Sequence, residues 1–216
     1  MSGYTYDELA TAVQEYLETD EPTFVAAIPQ FVRSAEERIL QSVQLKVFYR
    51  QQAIANSAGV GSLTPPADVL ALTSVGYKIA NVTRLLEQKD ATLLDEFWPK
   101  PAEVGEPRFY AFERQDLLRI APTPEEAGDV VLRYFHRPES LVDAPPGDKT
   151  WLSTNAPDAM LYGTLVEAAI FQKAEPQDMQ TYDGRFTYAL QRLKNLGEAE
   201  QTIDHLRFGQ QRTPRT

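Results

Sequence analysis

The side chains best suited to chemistry are few and poorly placed for one another. Histidine occurs only at His136 and His205. An imidazole pair can ligate a metal or relay a proton. Neither histidine, however, has a His, Asp or Glu at a spacing that matches a known metal pattern, so each reads as a structural or solvated residue. Cysteine is absent, which removes thiol nucleophiles, zinc–thiolate sites and disulfides. Gly59-Val60-Gly61 lacks the third glycine and the following helix of a phosphate-cradling loop, and no G-K-[ST] occurs. It is expected to be a hairpin turn. No G-x-S-x-G nucleophile elbow is present. Glu36-Glu37 and Glu125-Glu126 have the composition of a general acid and base, but that work requires a desolvated site. These pairs fall on positions expected to face solvent or lie in loops. The expectation is no catalytic, cofactor-binding or metal-binding residue, and no enzyme.

Tyr4, Tyr6, Tyr16, Phe24, Phe31, Phe48 and Tyr49 would be a base-stacking set if basic residues lay among them. They occupy helix-core or strand positions without such residues, so they read as packing groups. The net charge of −10 also lacks the basic footprint of a duplex-gripping protein. The N-terminus, MSGYTYDELA, has neither the basic nor the apolar region of a signal peptide. No run approaches 18 apolar residues, so no membrane-spanning helix is expected.

The elements that would position these residues change type along the chain. Thr5-Tyr6-Asp7-Glu8 is a capping box, and Leu9, Val13, Tyr16 and Leu17 mark one face of the helix it opens. After Asp20-Glu21-Pro22-Thr23, Ile28, Phe31, Val32, Ala35, Ile39 and Val43 form a second apolar face. Thr23 can cap this helix; Pro29 falls inside its opening, tolerated if Ile28 ends a first turn and the main helix starts there, and Glu36, Glu37 and Arg38 are expected on the solvent side. Val47–Ser57 reads as a strand, and Val69–Tyr77 and Lys78–Leu86 as two strands around Gly76. Residues 87–98 read as a short helix stopped by Pro99. Phe109–Phe112 and Leu117–Ala121 form a hairpin, and Val130–His136 is the clearest strand.

The pattern then returns to helix from Trp151, with Asn155 and Pro157 opening an almost wholly apolar segment from Ala159 to Phe171. Past Glu175-Pro176 comes a near-heptad: Met179, Tyr182, Phe186, Ala189, Leu193, Leu196, Ala199, Ile203 and Leu206. Unbroken from 177 to 206, that helix would be about 45 Å long. Gly197 weakens its continuity by about 1 kcal/mol relative to alanine. The heptad fits either a bundle within the chain or, in its distal part, a contact between subunits. Residues 207–216 carry three arginines and no acid; they are expected to be disordered alone and to order on a partner.

The order helix, strand, helix predicts an α+β fold: a four-helix bundle of two N-terminal and two C-terminal helices, an inserted, mainly antiparallel β layer, and an extended C-terminal tail. The expected boundaries are 1–46 and 150–206 for the bundle, 47–149 for the insert and 207–216 for the tail.

Three stretches carry a resemblance that spans nearly the whole chain in order. They are YTYDELATAVQEYLETDEPTFVAAIPQFVRSAEERIL, GEPRFYAFERQDLLRIAPTPEEAGDVVLRYFHRPESL and WLSTNAPDAMLYGTLVEAAIFQKAEPQDMQTYDGRFTYALQRLKNLGE. Together they resemble tailed-bacteriophage head-to-tail adaptor proteins, the adaptor or tail tubular protein A type of short-tailed phages. The resemblance implies a structural virion protein of the tail and neck, made in the host cytoplasm. Such adaptors form a homo-oligomeric ring, usually of twelve copies, that joins the portal protein to the tail nozzle protein. DNA passes through its channel without sequence-specific binding.

The resemblance also implies that the tail, with Arg207, Phe208, Arg212 and Arg215, reaches along the portal. Ile203, Leu206 and Tyr182 are the expected subunit-interface residues. The other reading is a non-catalytic interaction module of a different assembly that forms a small closed oligomer. Neither reading calls for a cofactor or a membrane.

Overall fold

The structure is a computed structural model. It describes residues 3–100, 102–114 and 116–205, with side chains as far as residue 198 in the last helix. The chain divides into two units, Met1–Lys46 with Pro138–Thr216, and Val47–Arg137. The class is α+β.

Helix α1 is Tyr6–Leu17. Its capping box forms as expected: the Glu8 amide donates to Thr5 Oγ1 at 3.2 Å, and the Thr5 amide donates to Glu8 Oε2 at 2.9 Å. Leu9 and Val13 are buried, whereas Tyr16 is largely exposed. Helix α2 is Pro22–Ser42. It opens at Pro22, beside the expected Thr23, and runs on without a restart at Pro29. Pro22 supplies the preformed φ of a first helical residue, and the Thr23 hydroxyl donates to Glu21 Oε1 at 2.9 Å instead of capping. Pro29 is carried inside the helix, where the buried face of Phe24, Ile28, Phe31, Val32, Ala35 and Ile39 holds it. Packing here outweighs the roughly 3 kcal/mol penalty of an interior proline.

The second unit follows. A short 3-10 turn at Lys46–Phe48 leads to β1 at Tyr49–Asn56. The remaining elements are β2 Ser62–Leu63, β3 Val69–Ile79, β4 Val82–Gln88, α3 Ala91–Phe97, β5 Val104–Gly105, β6 Phe109–Arg114, β7 Leu117–Ala121, β8 Thr123–Pro124 and β9 Gly128–His136. Seven strands form one sheet in the order β1-β9-β3-β4-β6-β7-β2, and β5 pairs with β8 separately. This layer is larger than expected, and mixed. Strand β4 lies parallel to β6 through Glu87↔Phe109 and Gln88↔Tyr110, with α3 and its flanking loops as the crossover that a parallel pair requires. Residues 87 and 88 therefore belong to a strand, and α3 begins only where Asp90 caps it, accepting from the Thr92 amide at 2.9 Å.

Two turn expectations fail. β3 runs straight through Gly76, and the chain reverses at Ala80, whose φ is 51°. Gly59 does make a turn, at φ 78°, but not a hairpin: β1 pairs with β9, whereas β2 pairs with β7. The β6–β7 hairpin forms as expected. Strand β9 is flanked by β1 and β3, so its alternating Val130, Leu132 and Tyr134 enter a core shared with Val75, Tyr77, Leu86, Tyr110, Leu118 and Ile120.

Back in the first unit, the segment from Trp151 is two helices, α4 Trp151–Asn155 and α5 Pro157–Gln172, followed by α6 Pro176–His205. Thr150, not Asn155, provides a cap; it forms a reciprocal box with Ser153 that starts α4. Asn155 ends α4 and donates to the Trp151 carbonyl at 3.0 Å. α5 is buried on nearly all sides, as its composition requires, and α1, α2, α4 and α6 all pack on it. The unit holds five helices, four of them packed on α5, in place of the expected bundle of two N-terminal and two C-terminal helices. Pro138–Lys149 is part of this unit, and its Leu141 is fully buried.

Candidate functional site

Of the reactive groups singled out above, His136 and Glu36 are engaged in holding the fold. His136 is half-buried at the end of β9; its Nδ1 lies 2.9 Å from the Phe48 carbonyl oxygen, and its ring meets Phe48 edge-on at 6.1 Å. His205 ends α6, and its side chain lies outside the described residues. Asn56 closes the Gly59 turn by donating to the Val60 carbonyl at 2.9 Å. Glu125 and Glu126 are exposed beside a cleft of about 370 Å³ that also involves Tyr77 and Arg84. There the Tyr77 hydroxyl donates to the Glu126 carbonyl at 2.8 Å. Among the described residues no cluster of His, Asp and Glu could hold a metal ion.

Glu36 departs from the solvent position expected of it. It is 6% exposed and accepts the Leu141 amide at 2.9 Å, which fastens the chain after Pro138 onto α2. Burial pushes its carboxyl above the usual range, while the Leu141 amide and the Ser140 side chain pull the other way. Arg38, expected in solvent as well, reaches from α2 to α5 and α6. It donates to Glu167 Oε1 at 2.9 Å and lies 4.9 Å from the centre of the Phe186 ring.

The heptad of α6 divides in two. Phe186, Ala189 and Leu193 are buried, and Gly163 of α5 fits beneath Phe186, where a Cβ would be 2.8 Å from Cε2. The next buried position is Gly197, not Leu196, which is 47% exposed. The helix continues through Gly197 to His205. The glycine suits close approach, because a Cβ there would meet the Gln44 carbonyl oxygen at 2.9 Å. Tyr182 is half-buried on the inner stripe, and desolvation raises its phenol above the ordinary value.

Of the other expected interface residues, Ile203 lies in α6 with its side chain outside the described residues. Leu206 and the tail residues Arg207, Phe208, Arg212 and Arg215 also lie outside them.

The outer side of α6 faces two adjoining grooves. One, of about 480 Å³, involves Asp158 and Tyr162 of α5 and Gly184, Arg185 and Tyr188 of α6. The other, of about 430 Å³, continues past Asp158 and Ala189 to Arg192 and Leu196. Tyr188 is 68% exposed. Arg185 donates to the Tyr162 hydroxyl at 3.1 Å, and Arg192 lies 3.6 Å from Asp158. Sequence reading missed this surface because it assigned Leu196 to the inner stripe. The consecutive three-residue steps Leu193–Leu196–Ala199 carried the signal, since a row facing one partner alternates three and four.

Buried stripes, capped helices and the absence of any metal-holding cluster among the described residues define an α+β module organised by packing. Residues 4–213 match the family described as SU10 adaptor protein, and the chain belongs to that family of phage head-to-tail adaptors. No curated protein matches it. It is a structural phage adaptor associated with the virion, and none of its described helices is long and apolar enough to cross a membrane.

Proposed function

We propose that this protein forms a ring, of twelve copies, that joins the portal protein to the tail nozzle protein and surrounds part of the DNA channel. The observation that carries the reading is the adaptor-family match over residues 4–213. The physics of the chain agrees with it. A net charge of −10 disfavours retention of a polyanion passing alongside, so the channel-facing side is net negative. The basic tail with Arg207, Phe208, Arg212 and Arg215 orders against the portal, a coupled ordering that spends entropy to cover a long surface. Ile203 and Leu206 belong to contacts between subunits, and the half-buried Tyr182 contributes there only through its exposed part. The protein needs no cofactor and makes no sequence-specific contact with DNA. It assembles in the host cytoplasm and resides in the neck of the virion.

Electron microscopy of the purified protein with and without its portal tests this. Rings of twelvefold symmetry seated on the portal are expected. A closed dimer with no affinity for portal would instead identify an interaction module of another assembly. Removal of residues 207–216 is expected to abolish portal attachment and leave the circular dichroism spectrum unchanged; undiminished attachment would refute the role of the tail.

A further inference from the structure

The geometry points to the outer face of α6, with its two grooves, as the seat of a second copy of this chain, docked through the outer face of that copy's α1. This rests on the ring reading above and assigns the surfaces that would build it.

Three observations carry the inference. First, the apolar row of α6 changes partner. Gly197 is the last buried position among the described side chains, and Leu196 lies about 80° around the helix from the line of Phe186. Arg185, Tyr188, Arg192 and Leu196 follow one another at spacings of three and four on that outer side. All four are exposed. Helical spacing carries the same row on through positions 199 and 203.

Second, the face has relief. Two grooves of about 480 and 430 Å³ meet at Asp158 and Ala189, and a Cβ at Gly184 would have no atom within 4 Å. This leaves room for the ridge of a helix.

Third, the charges select the occupant. The groove walls bring Arg185 and Arg192 beside the single carboxylate of Asp158. The outward stripe of α1 is Asp7, Thr11 and Glu15, followed by Glu18 at the helix's C-terminal cap; all four are exposed, and no lysine or arginine precedes Arg33. The same chain thus bears an acidic helical ridge and a basic, aromatic helical groove within one unit. Complementary charge steers and orients association. Because the two surfaces differ, their contact is heterologous; it propagates from copy to copy and closes into a ring where the rotation permits.

The absence of cysteine makes the test clean. Glu15→Cys and Arg192→Cys are prepared as separate proteins, mixed, assembled with portal and treated with a short bismaleimide. Cross-linked dimer at least fivefold above either variant alone is expected. Self-association in low salt is expected to weaken at least tenfold in R185E/R192E and in E15K/E18K, and to return when the two are mixed. Rings that assemble while the mixed cysteines cross-link no better than the controls would overturn these surfaces and leave the ring reading standing. No self-association with or without portal would overturn both.

Discussion

Gly197 of α6 stands against the main chain of Gln44: a Cβ at position 197 would lie 2.9 Å from the Gln44 carbonyl oxygen and 3.1 Å from Leu45 Cδ2. Gly184, thirteen residues earlier in the same helix, faces open space. Gly197→Ala is therefore expected to destabilise by about 1–2 kcal/mol, because overlap with backbone outweighs the gain in helix propensity. Gly184→Ala should stabilise by up to about 1 kcal/mol. Urea midpoints of the two variants check this; equal shifts of the same sign would contradict it.

Glu36 gives the helical unit a pH dependence of identifiable sign. Its folded carboxyl titrates above the ordinary 4.5, chiefly through burial. The folded protein thus holds this proton more tightly than the unfolded chain. Stability from this group is greatest below the ordinary value and falls as pH rises through the higher folded value. Glu36→Gln is expected to flatten the fall, as measured by thermal denaturation from pH 4 to 8. Glu36→Ala instead leaves the Leu141 amide without its acceptor, at a cost of about 1–3 kcal/mol. An unchanged pH profile in the glutamine variant would show that Glu36 does not titrate in this way.

Arg119 ties β7 to the end of α3. Its Nη2 donates to the Trp98 carbonyl at 2.7 Å, and its Nη1 meets Asp95 and, at 3.4 Å, Glu113. The side chain is only 16% exposed. Arg119→Lys keeps the charge but cannot span these acceptors with one planar fork. A loss of about 1–2 kcal/mol is expected, read as earlier denaturant unfolding and increased hydrogen exchange at α3. Wild-type protection there would mean that the fork contributes little.

Ala80 turns the chain between β3 and β4 at a positive φ of 51°, a conformation that costs an alanine about 1–2 kcal/mol. Ala80→Gly is expected to raise stability by about 0.5–1 kcal/mol, net of glycine's larger unfolded-state entropy. Calorimetry of the variant is the measurement, and a lowered melting temperature would exclude relief of strain at this turn.

Elements whose signals are local were legible in the sequence. The Thr5 capping box, the apolar face of α2 from Ile28 to Ile39, the β6–β7 hairpin and β9 all rest on spacing within a few residues. Gly76 misled because glycine marks close approach as well as turning. In β3 it lies opposite Leu85 and Val131, and a Cβ would meet Thr83 Cγ2 at 3.0 Å. The parallel β4–β6 pair could not be read, because the residues it joins are separated by α3 and two loops. Of the exposed face of α6, the spacing of Leu193, Leu196 and Ala199 held the clue, but only the burial of Gly197 shows which way the helix has turned. The burial of Glu36 had no sequence signal: its partner is the amide of Leu141, more than a hundred positions away.

The pairing of Tyr49 with Phe135 bears on how the chain is made. The whole β unit, Val47–Arg137, is uninterrupted sequence that can complete itself while α1 and α2 wait for the helix they pack on. Once its first and last strands zip together, the entry and exit of the insert lie side by side. The long connection between α2 and α4 then behaves as a short loop, with correspondingly little closure entropy. Closing the β unit thus shortens, in entropic terms, the path between the two halves of the helical unit.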